Sequence, residues 1–145
     1  MPMQATIENL LGGPPVLGHK IADAIDWTDT IRAGLPAQSA SLLQDHLALT
    51  DAELAEILGV STRTLARIRS GKQRIDAVAS DRLYRVARLF ALACEVLENQ
   101  AEAVKWLKLS QIGLGGRIPM ALLLTEAGAR EVEDLLLRIE YGVFS

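Results

Sequence analysis

Apolar residues return at intervals of three and four over most of this chain, the spacing that gathers them on one face of an α-helix. The longest such stripe, Leu83, Val86, Ala87, Phe90, Ala93, Cys94 and Leu97, predicts a helix over about 79–98. Ile21, Ala24, Ile25, Trp27, Thr28 and Ile31 predict a helix over 20–32, ended by Gly34 and Pro36. Leu42, Leu43 and Leu47 predict one over 39–48, and Ala103, Val104, Trp106 and Leu107 one over 100–107. Pro119 opens a short helix, because proline fits the first helical position. Thr125 is placed to cap a last helix, which runs to Tyr141 with Val132, Leu135, Leu136 and Ile139 on one face and is closed by Gly142. Between these elements, residues 110–118 read as a loop. Residues 1–18, with Gly12-Gly13-Pro14-Pro15 and Gly18, hold no sustained period and read as an extended or mobile arm.

The sharpest boundaries lie between residues 50 and 71. Thr50-Asp51-Ala52-Glu53 is a capping box, in which the Thr50 hydroxyl accepts from the Glu53 amide and the Glu53 carboxylate reaches back to the Thr50 amide. The helix it starts stops at Gly59. Ser61 then caps a second short helix, closed by Gly71. Two short helices joined by three residues around a glycine form the helix-turn-helix pattern. Leu54 and Leu58 would face Val60, Leu65 and Ile68, with Ala55 as the small residue at closest approach. A plain αα-hairpin inside a bundle fits the same spacing. No stretch reads as a strand, so the expected fold is all-α: a helix-turn-helix bundle followed by a small helical domain.

Charge separates those two readings. The chain carries a net −3, yet residues 1–62 carry −6, residues 63–88 carry +6 and residues 89–145 carry −3. The one basic block begins on the second helix of the motif, so the pattern points to contact with a polyanion. If that helix enters a DNA major groove, its N-terminal and outer residues meet base edges. Arg63 and Arg67 lie one turn apart there, and arginine can bind guanine O6 and N7 together. Ser61 and Thr62 can hold a phosphate with the helix N-terminus. Arg69, Lys72 and Arg74, around the following glycine, suit phosphates, which fix position without reading sequence. Arg82, Arg85 and Arg88 read mainly as solvated helix face. A motif of this size ordinarily binds as a dimer on two half-sites.

Composition narrows the field further. Of the 145 residues, 50% are hydrophobic but only 4% aromatic, which suits a Leu/Ala helical core better than a β-sandwich. The apolar runs fall far short of the roughly 20 residues a membrane span needs. The first residues lack a basic region followed by an apolar one, so a cytoplasmic protein is expected. One cysteine, Cys94, excludes an internal disulfide and a cysteine-based zinc site, and its place on an apolar stripe makes it a small core residue. His19 and His46 share no metal-ligand spacing. Gly113-Leu114-Gly115-Gly116-Arg117 lacks the strand and the Lys-Ser/Thr ending of a phosphate loop. No nucleophile elbow is present. Neither an enzyme nor a cofactor is expected, and Trp27 and Trp106 read as core anchors.

Residues 26–145 resemble the antitoxins of the Xre/MbcA/ParS group, of the kind paired with RES-domain toxins. LAEILGVSTRTLARIRSGK is similar to the group's helix-turn-helix. The marks of its toxin-binding domain are Ala103, Trp106-Leu107, Leu114-Gly115-Gly116-Arg117-Ile118-Pro119, Leu122-Leu123, Thr125 to Ala129 and Arg138 to Ser145. The resemblance implies an Xre-like DNA-binding region over 26–98 and a toxin-binding domain over 99–145; residues 1–25, the arm and the start of the first helix, carry no mark of the family. It implies an antitoxin that covers the active site of a partner toxin and represses their shared operon. The RES class depletes NAD, and that partner is expected here; the ParS-like class includes ADP-ribosylating partners. The expected partners are therefore the toxin, operator DNA and a second copy of the chain.

The residues suit that role. Gly115-Gly116 permits a tight backbone path with Arg117 exposed beside it. Arg130, Arg138 and Glu140 offer charge around the leucine stripe of the last helix. Tyr141 and Phe144, near the carboxylate of Ser145, either plug a pocket meant for an anionic nucleotide or close the domain's own core. A stand-alone repressor whose C-terminal domain only oligomerises would share the same DNA site, so operator binding does not separate it from an antitoxin.

Overall fold

The computed structural model describes residues 6–71 and 73–142. They fall into two compact units, 7–84 and 85–142, residue 6 being grouped with the second. Among the described residues the regular structure is helical, with only two isolated bridges, Pro36 to Arg74 and Gln111 to Arg117.

The N-terminal unit contains α1 (Ile7–Leu10), α2 (Gly13–Leu17), α3 (Ala24–Ala33), α4 (Ala37–Leu47), α5 (Asp51–Leu58), α6 (Thr62–Ser70) and the first turns of α7 (Ala77–Leu97). Residues 7–18 are not the extended arm the sequence suggests. They form α1 and α2, which pack on α4 and bury Leu10, Leu11 and Leu17. The buried Ser39 hydroxyl donates to the Leu11 carbonyl at 2.7 Å, and the Ile21 amide donates to the Glu8 carboxylate at 3.1 Å. Helices of four and five residues are too short to display a period, which is why the pattern is silent there. The prolines do not oppose α2, because they fall in its first turn, where amides have no intrahelical acceptor.

Leu35, Leu43, Leu47, Leu54, Leu65, Ile75 and Leu83 make the core of this unit. Ser80 is fully buried without cost in lost hydrogen bonds. Its hydroxyl accepts from the Leu35 amide at 2.8 Å and donates to the Ile75 carbonyl at 3.1 Å. The Ile75 amide in turn donates to the Leu35 carbonyl at 2.8 Å, which ties the segment after α6 back to the start of α4. Trp27 is half-buried, its ring 5.0 Å from that of Tyr84 and tilted by 56°.

The C-terminal unit takes the rest of α7, then α8 (Gln100–Lys108), a 3-10 turn at Ile112–Leu114, α9 (Pro119–Leu122) and α10 (Glu126–Glu140). Asn99 caps α8 through the Glu102 amide at 2.8 Å, and Thr125 caps α10 through the Gly128 amide at 3.0 Å. α10 packs on α9 and on the 3-10 turn, and α8 packs on α9. Phe90, Ala93, Cys94, Ala103, Leu107, Leu123, Val132 and Leu136 fill the core. Burial pushes the Cys94 thiol up to about 11, which keeps it protonated and inert. Arg88 is not the solvated side chain its helix position suggests: it is half-buried and lies 3.3 Å from the Glu133 carboxylate. Arg82 and Arg85 are half-buried as well.

Candidate functional site

In the N-terminal unit the site residues stand on α6, and α6 is held from three directions. Its apolar side is anchored by Leu65, buried with Leu54, Ala55 and Leu58 of α5. Its N-terminus is capped by Ser61, whose Oγ accepts from the Thr64 amide at 3.1 Å. The preceding helix α5 starts with the full capping box, Glu53 N to Thr50 Oγ1 at 3.1 Å and Thr50 N to Glu53 Oε1 at 2.8 Å. The turn between the helices favours glycine. Gly59 has φ +76°, a left-handed conformation that strains other residues, and Nη1 of Arg82 lies close against it. That guanidinium lies at the C-terminal end of α5, where the helix dipole favours a cation.

The third tie is a side-chain network. Arg69 Nη1 donates to Asp51 Oδ1 at 3.0 Å, and Arg69 Nη2 donates to Gln44 Oε1. Gln44 Nε2 donates to the same Asp51 oxygen at 2.8 Å and to the Leu49 carbonyl at 3.0 Å. One network thus joins the end of α4, the start of α5 and the end of α6. The Gln44 amide, with the Arg69 guanidinium, holds the Asp51 carboxyl below the ordinary carboxylate range. Arg69, expected at a phosphate, thus has internal partners that link α6 to α4 and α5. No sequence rule finds this tie, because its members are 7 and 18 residues apart on three helices.

With Arg69 so engaged, α6 presents Thr62, Arg63, Ala66 and Arg67 outward, together with Ser61, all exposed. These are the residues the motif places toward base edges. Neither Arg63 nor Arg67 has a carboxylate within 4.0 Å among the described residues, so both guanidinium groups face solvent with their charge uncompensated. Arg74 is exposed, and its Nη1 donates to the Gly34 carbonyl at 2.8 Å. Arg69, Gln73 and Arg74 line a cavity of about 540 Å³ with Val16, Gln38 and Ser41. Lys72, expected at a phosphate, lies outside the described residues.

The C-terminal unit offers a different kind of surface. Gln111 and Arg117 close residues 112–116 into a tight loop, with Gln111 N to Arg117 O at 3.0 Å and Gly116 N to Gln111 O at 2.9 Å. Gly115 and Gly116 take φ of +67° and +82° to make the return, and Arg117 is exposed beside them, as expected. A hollow of about 400 Å³ brings Gly115, Arg117 and Arg138 together with Leu114, Leu122 and Glu131. Arg130 stands apart, exposed and 4.0 Å from Glu126, and Glu140 is exposed at the end of α10. Tyr141 is 74% exposed, so it does not close the core of this unit. Phe144 and Ser145 lie outside the described residues. Sequence periodicity missed Leu109, Ile112 and Ile118, which are 60%, 97% and 44% exposed. The available signal was their position off any helical stripe, in a glycine-rich loop.

Among the described residues no cluster of His, Cys, Asp or Glu could hold a metal ion, and no helix is long and apolar enough to cross a membrane.

A capped and clamped helix-turn-helix followed by a small helical module with apolar groups on its surface defines a class: a DNA-binding protein with an appended partner-binding unit. Comparison with known proteins agrees with both halves. Residues 26–88 match the family model for the antitoxin Xre-like helix-turn-helix domain. Residues 92–142 match that for the antitoxin Xre/MbcA/ParS C-terminal toxin-binding domain. Antitoxin Xre of Yersinia enterocolitica is 33% identical over 118 residues, covering 81% of this chain and 80% of that protein. Antitoxin Xre of Photorhabdus laumondii is 31% identical over 79% of this chain and 78% of its own length. Antitoxin Xre of Pseudomonas putida is 32% identical over 85% and 76%. The chain belongs to the Xre/MbcA/ParS antitoxin family. It is an antitoxin of a toxin–antitoxin system, a binding protein rather than an enzyme, with a helix-turn-helix and a toxin-binding domain.

Proposed function

We propose that this antitoxin neutralises a RES-domain, NAD-degrading toxin by covering its active site with the C-terminal unit, and that it represses the operon encoding both proteins. The observation that carries the reading is the presence in one chain of two unsatisfied faces of opposite character. One is the cationic outer face of α6, and the other is the apolar 109–118 segment in the toxin-binding domain. On the DNA side, α6 enters the major groove as a member of a dimer, with Arg63 and Arg67 on guanine edges and Thr62 at the helix start. Arg74 and Lys72 contact phosphates. Ser61 serves first as the cap of α6, and it reaches a phosphate only by turning its hydroxyl hydrogen from Thr64 Oγ1 to the phosphate oxygen. On the toxin side, the loop at Gly115–Arg117, the charges of Arg130, Arg138 and Glu140 and the end of the chain from Tyr141 through Phe144 and Ser145 contact the partner. Both activities take place in the cytoplasm.

Growth tests the partner. Cells expressing the neighbouring gene should stop growing, with intracellular NAD falling, and should recover when the full chain is co-expressed. A chain lacking residues 100–145 should fail to rescue them. Arrest without loss of NAD would replace the RES assignment by an ADP-ribosylating partner, and a harmless neighbour would remove that gene product as the partner.

A further inference from the structure

We infer that the loop at residues 112–118 is the anchor of the toxin complex. Ile112 enters an apolar recess of the toxin, and the adjacent hollow takes an acidic side chain of the same toxin on Arg117 and Arg138. The inference rests on the antitoxin reading above and names the chemistry of its interface.

Ile112 is 97% exposed, more than any other large apolar residue among those described. It is also held still. The bridge between Gln111 and Arg117 closes the loop, and the Leu114 and Gly115 amides donate back to Gln111 and Ile112, both at 3.0 Å. The Gln111 side chain donates from Nε2 to the Trp106 carbonyl at 3.0 Å and to the Leu109 carbonyl at 3.2 Å. The next residue, Gly113, lies flat on α10: a Cβ there would stand 2.7 Å from Cδ1 of Leu135. A side chain displayed on so constrained a backbone loses little freedom when it is covered, which is the property of an interface anchor. Leu109 and Ile118, both exposed, extend apolar surface at the two ends of the loop.

The hollow explains the charge beside that surface. It measures about 400 Å³, and its charged lining groups are Arg117, Arg138 and Glu131. Among the described residues neither guanidinium has a carboxylate within 4.0 Å. Two cations and one anion leave a single positive charge over the hollow. That suits the monoanionic carboxylate of Asp or Glu, presented to paired guanidinium forks, better than a dianionic phosphate. The family match places this loop inside the toxin-binding domain, so the occupant is the toxin rather than a second copy of the chain.

The test is titration of the purified full chain against the purified protein encoded by the neighbouring gene, with catalytically dead toxin to permit its production. Ile112→Asp should weaken binding by about a hundredfold, the scale of a buried anchor. Arg117→Glu with Arg138→Glu should weaken it by about tenfold or more and flatten its salt dependence. Circular dichroism and operator binding should match wild type in both variants, since none of these side chains is in the core. Binding of Ile112→Asp within about twofold of wild type would overturn the inference and leave the antitoxin reading intact. A wild-type chain that fails to bind this protein would overturn the inference for it and remove it as the proposed partner. A wild-type dimer that dissociates in Ile112→Asp while toxin affinity is unchanged would assign the knob to a second copy, and overturns the inference too.

Discussion

The two units expose opposite things. On α6 the outward residues are charged or small, and every large apolar side chain that the helical period assigns to the inner face is buried or half-buried. On the 109–118 segment the outward residues include three large aliphatics, held by backbone hydrogen bonds rather than by a helix. The difference is what the two proposed partners would require. A polyanion is met by cations that stay hydrated until contact, and their geometry is set by the buried side of the helix beneath them. A protein partner is met by apolar groups that pay off only when desolvated, and these need a stiff mount that the chain's own core does not consume.

If the DNA site is a consequence of the buried side of α6, the largest loss should come from a residue that never touches DNA. Leu65→Ala removes a fully buried anchor and should cost about 2–5 kcal/mol of stability. In urea denaturation of the full chain, followed by Trp27 fluorescence, the midpoint should fall, with operator affinity falling alongside it. Toxin binding measured below the transition should persist. Simultaneous loss of both activities in conditions where the chain remains folded would break the division of labour between the units.

Arg67→Ala should leave stability within experimental error of wild type and cost about 1–3 kcal/mol on the cognate operator. The loss on random DNA should be much smaller. An equal loss on both would make Arg67 a phosphate contact and move base reading to Arg63 alone. Arg69→Ala makes a sharper contrast. Its guanidinium faces Asp51 and Gln44 rather than solvent, so its effect on operator affinity should be accompanied by lost stability, which Arg67→Ala does not show.

These expectations differ in how far the sequence could supply them. Long stripes, caps and the glycine turn were legible, and α5, α6, α7 and α10 lie within two residues of where periodicity and capping chemistry place them. Local rules suffice for such elements, because each cap and each i, i+4 contact lies within one turn. The α1–α2 hairpin leaves no such signal, since Leu10, Leu11 and Leu17 are too few and too interrupted by Gly and Pro to show a period. The position of Arg69 around Gly71 suits a phosphate, whereas the partners that engage it come from helices remote in sequence. Ile112 leaves no signal for the opposite reason: an apolar residue in a loop carries no pattern, and only its exposure reveals it. Tertiary contacts and violations of pattern were both beyond a one-dimensional reading.

The caps allow a matched comparison across the units. Thr125 accepts from the Gly128 amide at 3.0 Å and starts α10, the helix against which the 112–118 loop lies. Thr125→Ala should lower stability by about 1 kcal/mol. If the loop depends on α10 as its mount, toxin affinity should fall with it while operator affinity stays unchanged. Toxin affinity equal to wild type would show that the loop keeps its shape without the first turn of α10.

The smallest effect should come from acid. Asp51 is exposed, and its carboxyl is held low first by the Gln44 amide and then by the Arg69 guanidinium. A carboxylate whose folded pKa lies below its unfolded one contributes stability above the unfolded value and loses it as pH falls through the folded value. The tie between α4, α5 and α6 should therefore be fully present at neutral pH and weaken below about pH 4. Because the group is open to solvent, its contribution is screened and should shrink in high salt. Asp51→Asn keeps an oxygen for Gln44 or Arg69 but removes the charge, so its melting temperature should lie slightly below wild type at pH 7 and converge with it as the pH falls through the lowered range of the Asp51 carboxyl. The diagnostic is the sign of that convergence. A gap that widens on acidification would mean that Asp51 is not held in its charged form by this network, and that the orientation of α6 rests on Leu65 and its caps alone.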